Sequence, residues 1–150
     1  MTKIEKVLFT GKTNTQFSRR EGAARNDHGR VDLKLSVPGS SAPAQVFDAV
    51  VAHPTAEQLF AGAWSACYIS AIGLVAQSRK VALPDDLAVD IEVDLGMTGN
   101  AYFLQARINV RAPGLPREVT EALAHEAHEI CPYSKATRGN IDVAVNVIEA

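Results

Sequence analysis

From Leu59 to Ala76 the chain runs LFAGAWSACYISAIGLVA, eighteen positions without a charged residue. No other stretch of this sequence restricts the fold so strongly. A segment of that length could cross a membrane. Its composition points elsewhere, because half of it is alanine, glycine or serine. No second span follows, and there is no Lys/Arg asymmetry around this one. The stretch therefore predicts a central helix of a globular domain, with no membrane partner. A helix apolar nearly all round must be covered on most faces. One sheet cannot do that, so the surplus predicts a homodimer whose second subunit supplies the missing cover.

The start of this helix is written in the residues before it. Thr55 is a candidate N-cap, and Gln58 stands three residues later, as a capping box requires. Glu57 lies in the first turn, where the helix dipole favours an anion. The helix is expected from about Ala56 to Gln77 or Arg79.

Strands flank it. Residues 3–12 contain IEKVLF and read as a first strand. Residues 11–29, GKTNTQFSRREGAARNDHG, read as a polar, basic loop carrying Arg19, Arg20 and Arg25. Val31, Leu33, Leu35 and Val37 alternate with polar residues and predict a second strand. Val89, Ile91, Val93 and Leu95 alternate with Asp90, Glu92 and Asp94. A turn at 96–100 then leads to a partner strand from Tyr102 to Arg111. Its Gln105, Arg107, Asn109 and Arg111 would face the acidic row in an antiparallel pair. Gly114-Leu115-Pro116 opens a second helix, Arg117 to Ile130, which Cys131-Pro132 ends. Ile141 to Val147 reads as the last strand.

Nothing repeats and no linker divides the chain, so residues 1–150 are expected to form one domain. The expected class is α+β, a mostly antiparallel sheet packed on the central helix and a second helix. A formal net charge of −2 and the lack of any Lys/Arg run argue against nucleic acid as a partner. The N-terminus, MTKIEKVLF, has no signal-peptide pattern, and the expected location is cytoplasmic.

The two cysteines are Cys67 and Cys131. Cys67 sits mid-helix, where a cysteine is commonly a small buried hydrophobe. Chemistry there requires a thiolate, and a thiolate requires a nearby cation. The arginine-rich loop is the available source. Cys131 lies at a helix end in a polar segment with Lys135 and Arg138, and is expected to be the more reachable of the two. His125, His128 and Cys131 fall near one helical face and, with Cys67, could be imagined as a mixed zinc site. Their spacing is unlike the usual ligand pairs, and solvated histidines are the expected account. Glu57 precedes an apolar helix, so a carboxylate buried there would need a partner such as Arg19, Arg20 or Arg25. Phosphate loops, GxSxG, HExxH and CxxC are all absent.

Three segments carry a family resemblance. They are Glu57-Gln58-Leu59-Phe60-Ala61, Trp64-Ser65-Ala66-Cys67, and the run CPYSKATRGNIDV from Cys131 to Val143. Together they resemble the organic hydroperoxide resistance proteins of the OsmC-like superfamily. The resemblance implies a thiol-dependent peroxidase, a cytoplasmic homodimer with sites at the subunit interface and no bound metal or flavin. It implies Cys67 as the peroxidatic cysteine and Cys131 as the resolving one, joined in a disulfide during turnover. Glu57 matches the carboxylate that bonds the catalytic arginine, and Arg20 best matches that arginine, with Arg19 the alternative. Ser18-Arg19 replaces the family's usual paired glycines, and Ala52-His53-Pro54-Thr55-Ala56 replaces its usual Gly-Thr-Asn-Pro run. The implied substrate is an alkyl or fatty-acid hydroperoxide, admitted by apolar side chains such as Phe60, Trp64 and Tyr68. The implied reductant is a dithiol such as a lipoylated protein. Two rivals remain: a thiol sensor or exchange protein without turnover, and a non-enzymatic dimer binding a small apolar ligand.

Overall fold

The computed structural model of the chain describes residues 4–16 and 55–148. Within them run β1 (Lys6–Gln16), α1 (Ala56–Arg79), β2 (Ala88–Thr98), β3 (Ala101–Arg111), α2 (Arg117–Ile130), α3 (Pro132–Thr137) and β4 (Asp142–Val147). The expected strand at residues 31–37 and the basic residues Arg19, Arg20 and Arg25 lie outside the described residues.

The four strands form one sheet in the order β1-β2-β3-β4. The first two pairings are antiparallel and β3 pairs with β4 in parallel. The sheet is thus mixed and mostly antiparallel. Parallel pairing requires a crossover, and here α2 and α3 supply it. Alternation sorts the strand residues by face. Val89, Ile91 and Val93 of β2, with Ala106, Ile108 and Val110 of β3, are buried under α1. The opposite face carries a charge ladder. Arg107 bonds Glu92 and Asp94, Arg111 bonds Asp90, and Lys12 bonds Glu92. Acidic and basic rows meet as the alternating pattern requires.

β1 differs from its expected extent. It continues beyond residue 12 through Thr13–Gln16, residues expected only as loop, and pairs there with residues 88–91 of β2. The polar residues responsible for the loop reading have places on the outer face. Lys12 reaches Glu92 and Asn14 reaches Asp90. Alternating polarity on a half-solvated strand had the look of loop composition.

α1 begins as its sequence dictates. Thr55 Oγ1 accepts from the Gln58 N–H at 3.2 Å, and Gln58 Oε1 accepts from the Thr55 N–H at 2.9 Å. Lys80, at φ 57°, closes the helix in the left-handed conformation. By length and composition α1 could span a membrane, yet half of its most apolar window is buried inside the domain. Trp64, Tyr68 and Ile72 fill the core beneath it. Tyr68 Oη donates to the Ala124 carbonyl at 2.6 Å and so ties α1 to α2. Another stripe of α1 stays exposed among the described residues: Ala63, Ala66, Ser70 and Leu74.

α2 occupies the expected residues. Cys131 then leaves the helical region, at φ −61° and ψ 123°. The chain re-enters a helix at once, with Pro132 in the first helical position of α3, where its missing N–H costs nothing.

Candidate active site

The site is built where the middle of α1 meets the junction of α2 and α3. Cys67 comes from α1. Cys131 closes α2 with its N–H on the Ala127 carbonyl at 2.9 Å, and its own carbonyl accepts from the Lys135 N–H at 3.0 Å. The two Sγ atoms lie 3.4 Å apart, and both cysteines are free thiols. A disulfide bond would bring them to about 2.04 Å. Residues 64 apart in sequence are therefore held about 1.4 Å from bonding distance.

Their exposures reverse the expectation. Cys131 is fully buried, whereas Cys67 is only partly so. The polar segment after Cys131 does not leave it open. That segment folds as α3 and turns Cys131 inward against α1. Cys67 keeps a side of α1 that neither the sheet nor α2 covers.

Burial pushes the Cys67 thiol above its ordinary value, and the hydrogen bond it shares with the Cys131 sulfur adds to the shift. The backbone N–H of Tyr133, in the first turn of α3, acts in the opposite direction. Among the described residues no cation enters this balance. A reactive thiolate at Cys67 needs one.

Glu57 is buried in the first turn of α1. Its position follows from Gly11. A Cβ at residue 11 would lie 2.7 Å from both the Glu57 Cβ and the Gln58 N, so β1 can pass the helix start only without a side chain. One carboxylate oxygen, Oε2, is buried with no hydrogen-bond partner among the described residues. A buried carboxylate oxygen left alone is costly. Arg20 and Arg19, the expected partners, lie outside the described residues.

The aromatics divide. Trp64 and Tyr68 are fully buried and belong to the core, and Phe60, partly exposed, packs edge-on against Trp64 at 5.6 Å. Of the three, only Phe60 keeps surface for a ligand. The indole N–H of Trp64 donates to Ser134 Oγ at 3.1 Å. Ser134 had no expected role, and neither did the Tyr133 N–H. Both depend on α3, and Pro132 signals a helix start as readily as a stop.

The histidines are not both solvated, as was expected. His125 is exposed, but His128 is half-buried beside the Tyr68 ring at 6.3 Å. Burial, then Arg138, holds its imidazole below the ordinary value. Among the described residues no three His, Cys, Asp or Glu side chains are grouped to hold a metal ion.

A family model described as "OsmC-like protein" matches residues 48–146. The organic hydroperoxide resistance protein of Xanthomonas axonopodis pv. citri is 35% identical over 147 residues, covering 98% of this chain and 99% of its own length. The chain belongs to the organic hydroperoxide resistance branch of the OsmC-like family. The resistance protein OhrA of Bacillus subtilis is 33% identical across 97% of this chain and all of its own. The crystal structure of OhrB from the same bacterium superposes with a TM-score of 0.69 at 31% identity, covering 91% of this chain and 97% of that one. Within the OsmC-like family, two free thiols 3.4 Å apart give this protein a thiol-based, redox-active character.

Proposed function

We propose that the protein is a thiol peroxidase that reduces organic hydroperoxides, alkyl or fatty-acid, to alcohols. The observation that carries this reading is the 3.4 Å separation of Cys67 and Cys131, one partly exposed and one buried. A peroxide arriving from solvent meets Cys67 first. The Cys67 thiolate attacks the distal oxygen, the O–O bond breaks, and the alkoxide leaves as the alcohol once protonated. Cys67 is then a sulfenic acid. Cys131 attacks that sulfur, the S–O bond breaks and water leaves, giving the Cys67–Cys131 disulfide. A dithiol, in this reading a lipoylated protein, restores both thiols by exchange.

Arg20, or Arg19 beside it, is assigned to stabilise the thiolate and the charge developing on the peroxide. Glu57 is assigned to orient that arginine, and its unpartnered buried Oε2 supports the role. No cofactor enters the cycle. In this reading residues 1–150 are one peroxidase domain of a cytoplasmic homodimer. The exposed stripe Ala63, Ala66, Ser70 and Leu74 on α1 supports the dimer, because its three small residues admit a close second helix and Leu74 is a large apolar side chain left uncovered.

Mass spectrometry after one equivalent of cumene hydroperoxide tests the reading. The expected product has lost two hydrogens, mapped to a Cys67–Cys131 bridge. With excess peroxide and dihydrolipoamide the parent turns over, Cys131→Ser stops after sulfenic acid formation, and Cys67→Ser consumes none. A bridge that forms without turnover would favour the sensor, and a fully reduced product would sink both.

A further inference from the structure

The hydrogen bond between Trp64 and Ser134 lies one helical turn from the sulfur pair on both sides. Trp64 precedes Cys67 by three residues on α1, so the two share a helix face. Ser134 follows Cys131 by three residues, on α3. Both partners are fully buried. We propose that the Trp64–Ser134 bond is the device that holds Cys131 in bridging position against Cys67, which makes Ser134 a positioning residue for disulfide closure.

α3 has six residues. A helix that short has no stability of its own and sits where its tertiary contacts hold it. The Ser134 carbonyl takes up the end of α3, accepting from Thr137 Oγ1 at 3.1 Å and from the Arg138 N–H at 3.0 Å. The Ser134 hydroxyl, a separate group, faces α1, where the indole N–H meets it at 3.1 Å. A buried indole N–H ordinarily finds such a partner. Two features of α3 act directly on Cys67: the Cys131 sulfur and the Tyr133 N–H. Anchoring α3 to α1 through Trp64 therefore fixes both at once.

The bond matters at one step. After a hydroperoxide has made Cys67 a sulfenic acid, the Cys131 sulfur attacks the Cys67 sulfur. An S–S bond forms, the S–O bond breaks, and the departing hydroxide takes the Cys131 proton to leave as water. The sulfurs must close from 3.4 Å to about 2.04 Å, so freedom of α3 subtracts from the rate and from the stability of the bridge.

The inference rests on Cys67 and Cys131 acting as a redox pair, and its test separates the two claims. The full chain is equilibrated against reduced and oxidised glutathione, and the fraction bridged is read by mass. Ser134→Ala is expected to lower the equilibrium constant for bridging about tenfold, which makes the pair about 30 mV easier to reduce. Its sulfenic acid is expected to persist longer and to be trapped by dimedone. Ser134→Thr, which keeps an acceptor oxygen, restores the parent's value. Trp64→Phe, which keeps an aromatic ring without the N–H, gives the same shift as Ser134→Ala and adds nothing to it in the double variant. A folded Ser134→Ala protein with the parent's equilibrium constant overturns the proposal, and so do losses that multiply in the double variant. If Ser134→Ala does not fold, Trp64→Phe alone decides by the same equilibrium constant. A parent that bridges neither with glutathione nor with hydroperoxide overturns the redox pair itself, and the positioning role falls with it.

Discussion

Arg107 grips both carboxylate oxygens of Asp94, with Nη1 to Oδ2 at 2.7 Å and Nη2 to Oδ1 at 2.9 Å. Asp94 belongs to the outer face of the sheet, yet its side chain is only 3% exposed. Thr10 and Gln105 complete its shell. The Arg107 bonds hold its pKa down at about 2, against burial, which alone would raise it. A depressed carboxyl stabilises the fold above its unfolded value of about 3.9, and that contribution is lost as pH falls through about 2.

Arg107→Ala is accordingly expected to cost about 3 kcal/mol at pH 7, because it leaves a buried charge without its main partner. The difference from the parent should shrink between pH 4 and pH 2, where the parent loses the same contribution by protonation. Urea unfolding at pH 7, 4 and 2.5 measures it. A gap that stays constant with pH would place the cost in lost packing of the Arg107 stem instead.

Gly11→Ala tests how Glu57 is placed. The added methyl would meet the Glu57 Cβ and the Gln58 N at 2.7 Å, and both belong to the first turn of α1. Neither can yield without moving the helix start. The expected cost is about 1–3 kcal/mol. Peroxide turnover should fall further than stability does, because Glu57 moves with the turn. Parallel thermal melts and turnover with dihydrolipoamide separate the two effects.

The helix start was the most legible part of the sequence, and α2 was nearly as plain. Thr55, Gln58 and an uncharged run fix α1 by local bonds and burial alone. The alternation of β2 and β3 also showed which faces meet, but it left the register open, since Asp90 and Asp94 come to lie opposite Asn109 and Gln105 and only Glu92 opposite an arginine. Thr13–Gln16 does not read as strand, because a polar run after a glycine has the composition of a loop. The relative burial of the cysteines was illegible for a different reason. It depends on α3, and six residues whose place is set by one Trp64–Ser134 bond leave no periodic signal. Glu57 was legible as a buried carboxylate, but its dependence on Gly11 is a contact between distant segments.

Thr55→Ala should remove the Oγ1 acceptor of the Gln58 N–H, the side-chain half of the capping box on residue 55, and cost about 1 kcal/mol, while Thr55→Ser should cost a few tenths. The site lies three turns into the helix, so Cys67 labelling in the folded state should be unchanged. A large loss of labelling selectivity in Thr55→Ala would mean that the cap also sets the geometry at Cys67.

The rate of native alkylation at Cys67 reports on the cation assigned to it. Cys67 is partly exposed and Cys131 fully buried, so iodoacetamide should modify Cys67 first. Burial and the Cys131 bond outweigh the Tyr133 N–H and push the Cys67 thiol upward. In Arg20→Ala that balance acts alone, and the labelling midpoint should lie above the ordinary cysteine value of about 8.5. In the parent, an arginine beside the sulfur should bring the midpoint at least about one unit lower than in the variant. Peroxide consumption at pH 7 should then fall about tenfold or more in Arg20→Ala, in step with the lost thiolate. Equal midpoints in the two proteins would remove Arg20 from the site, and Arg19→Ala would be measured in the same way.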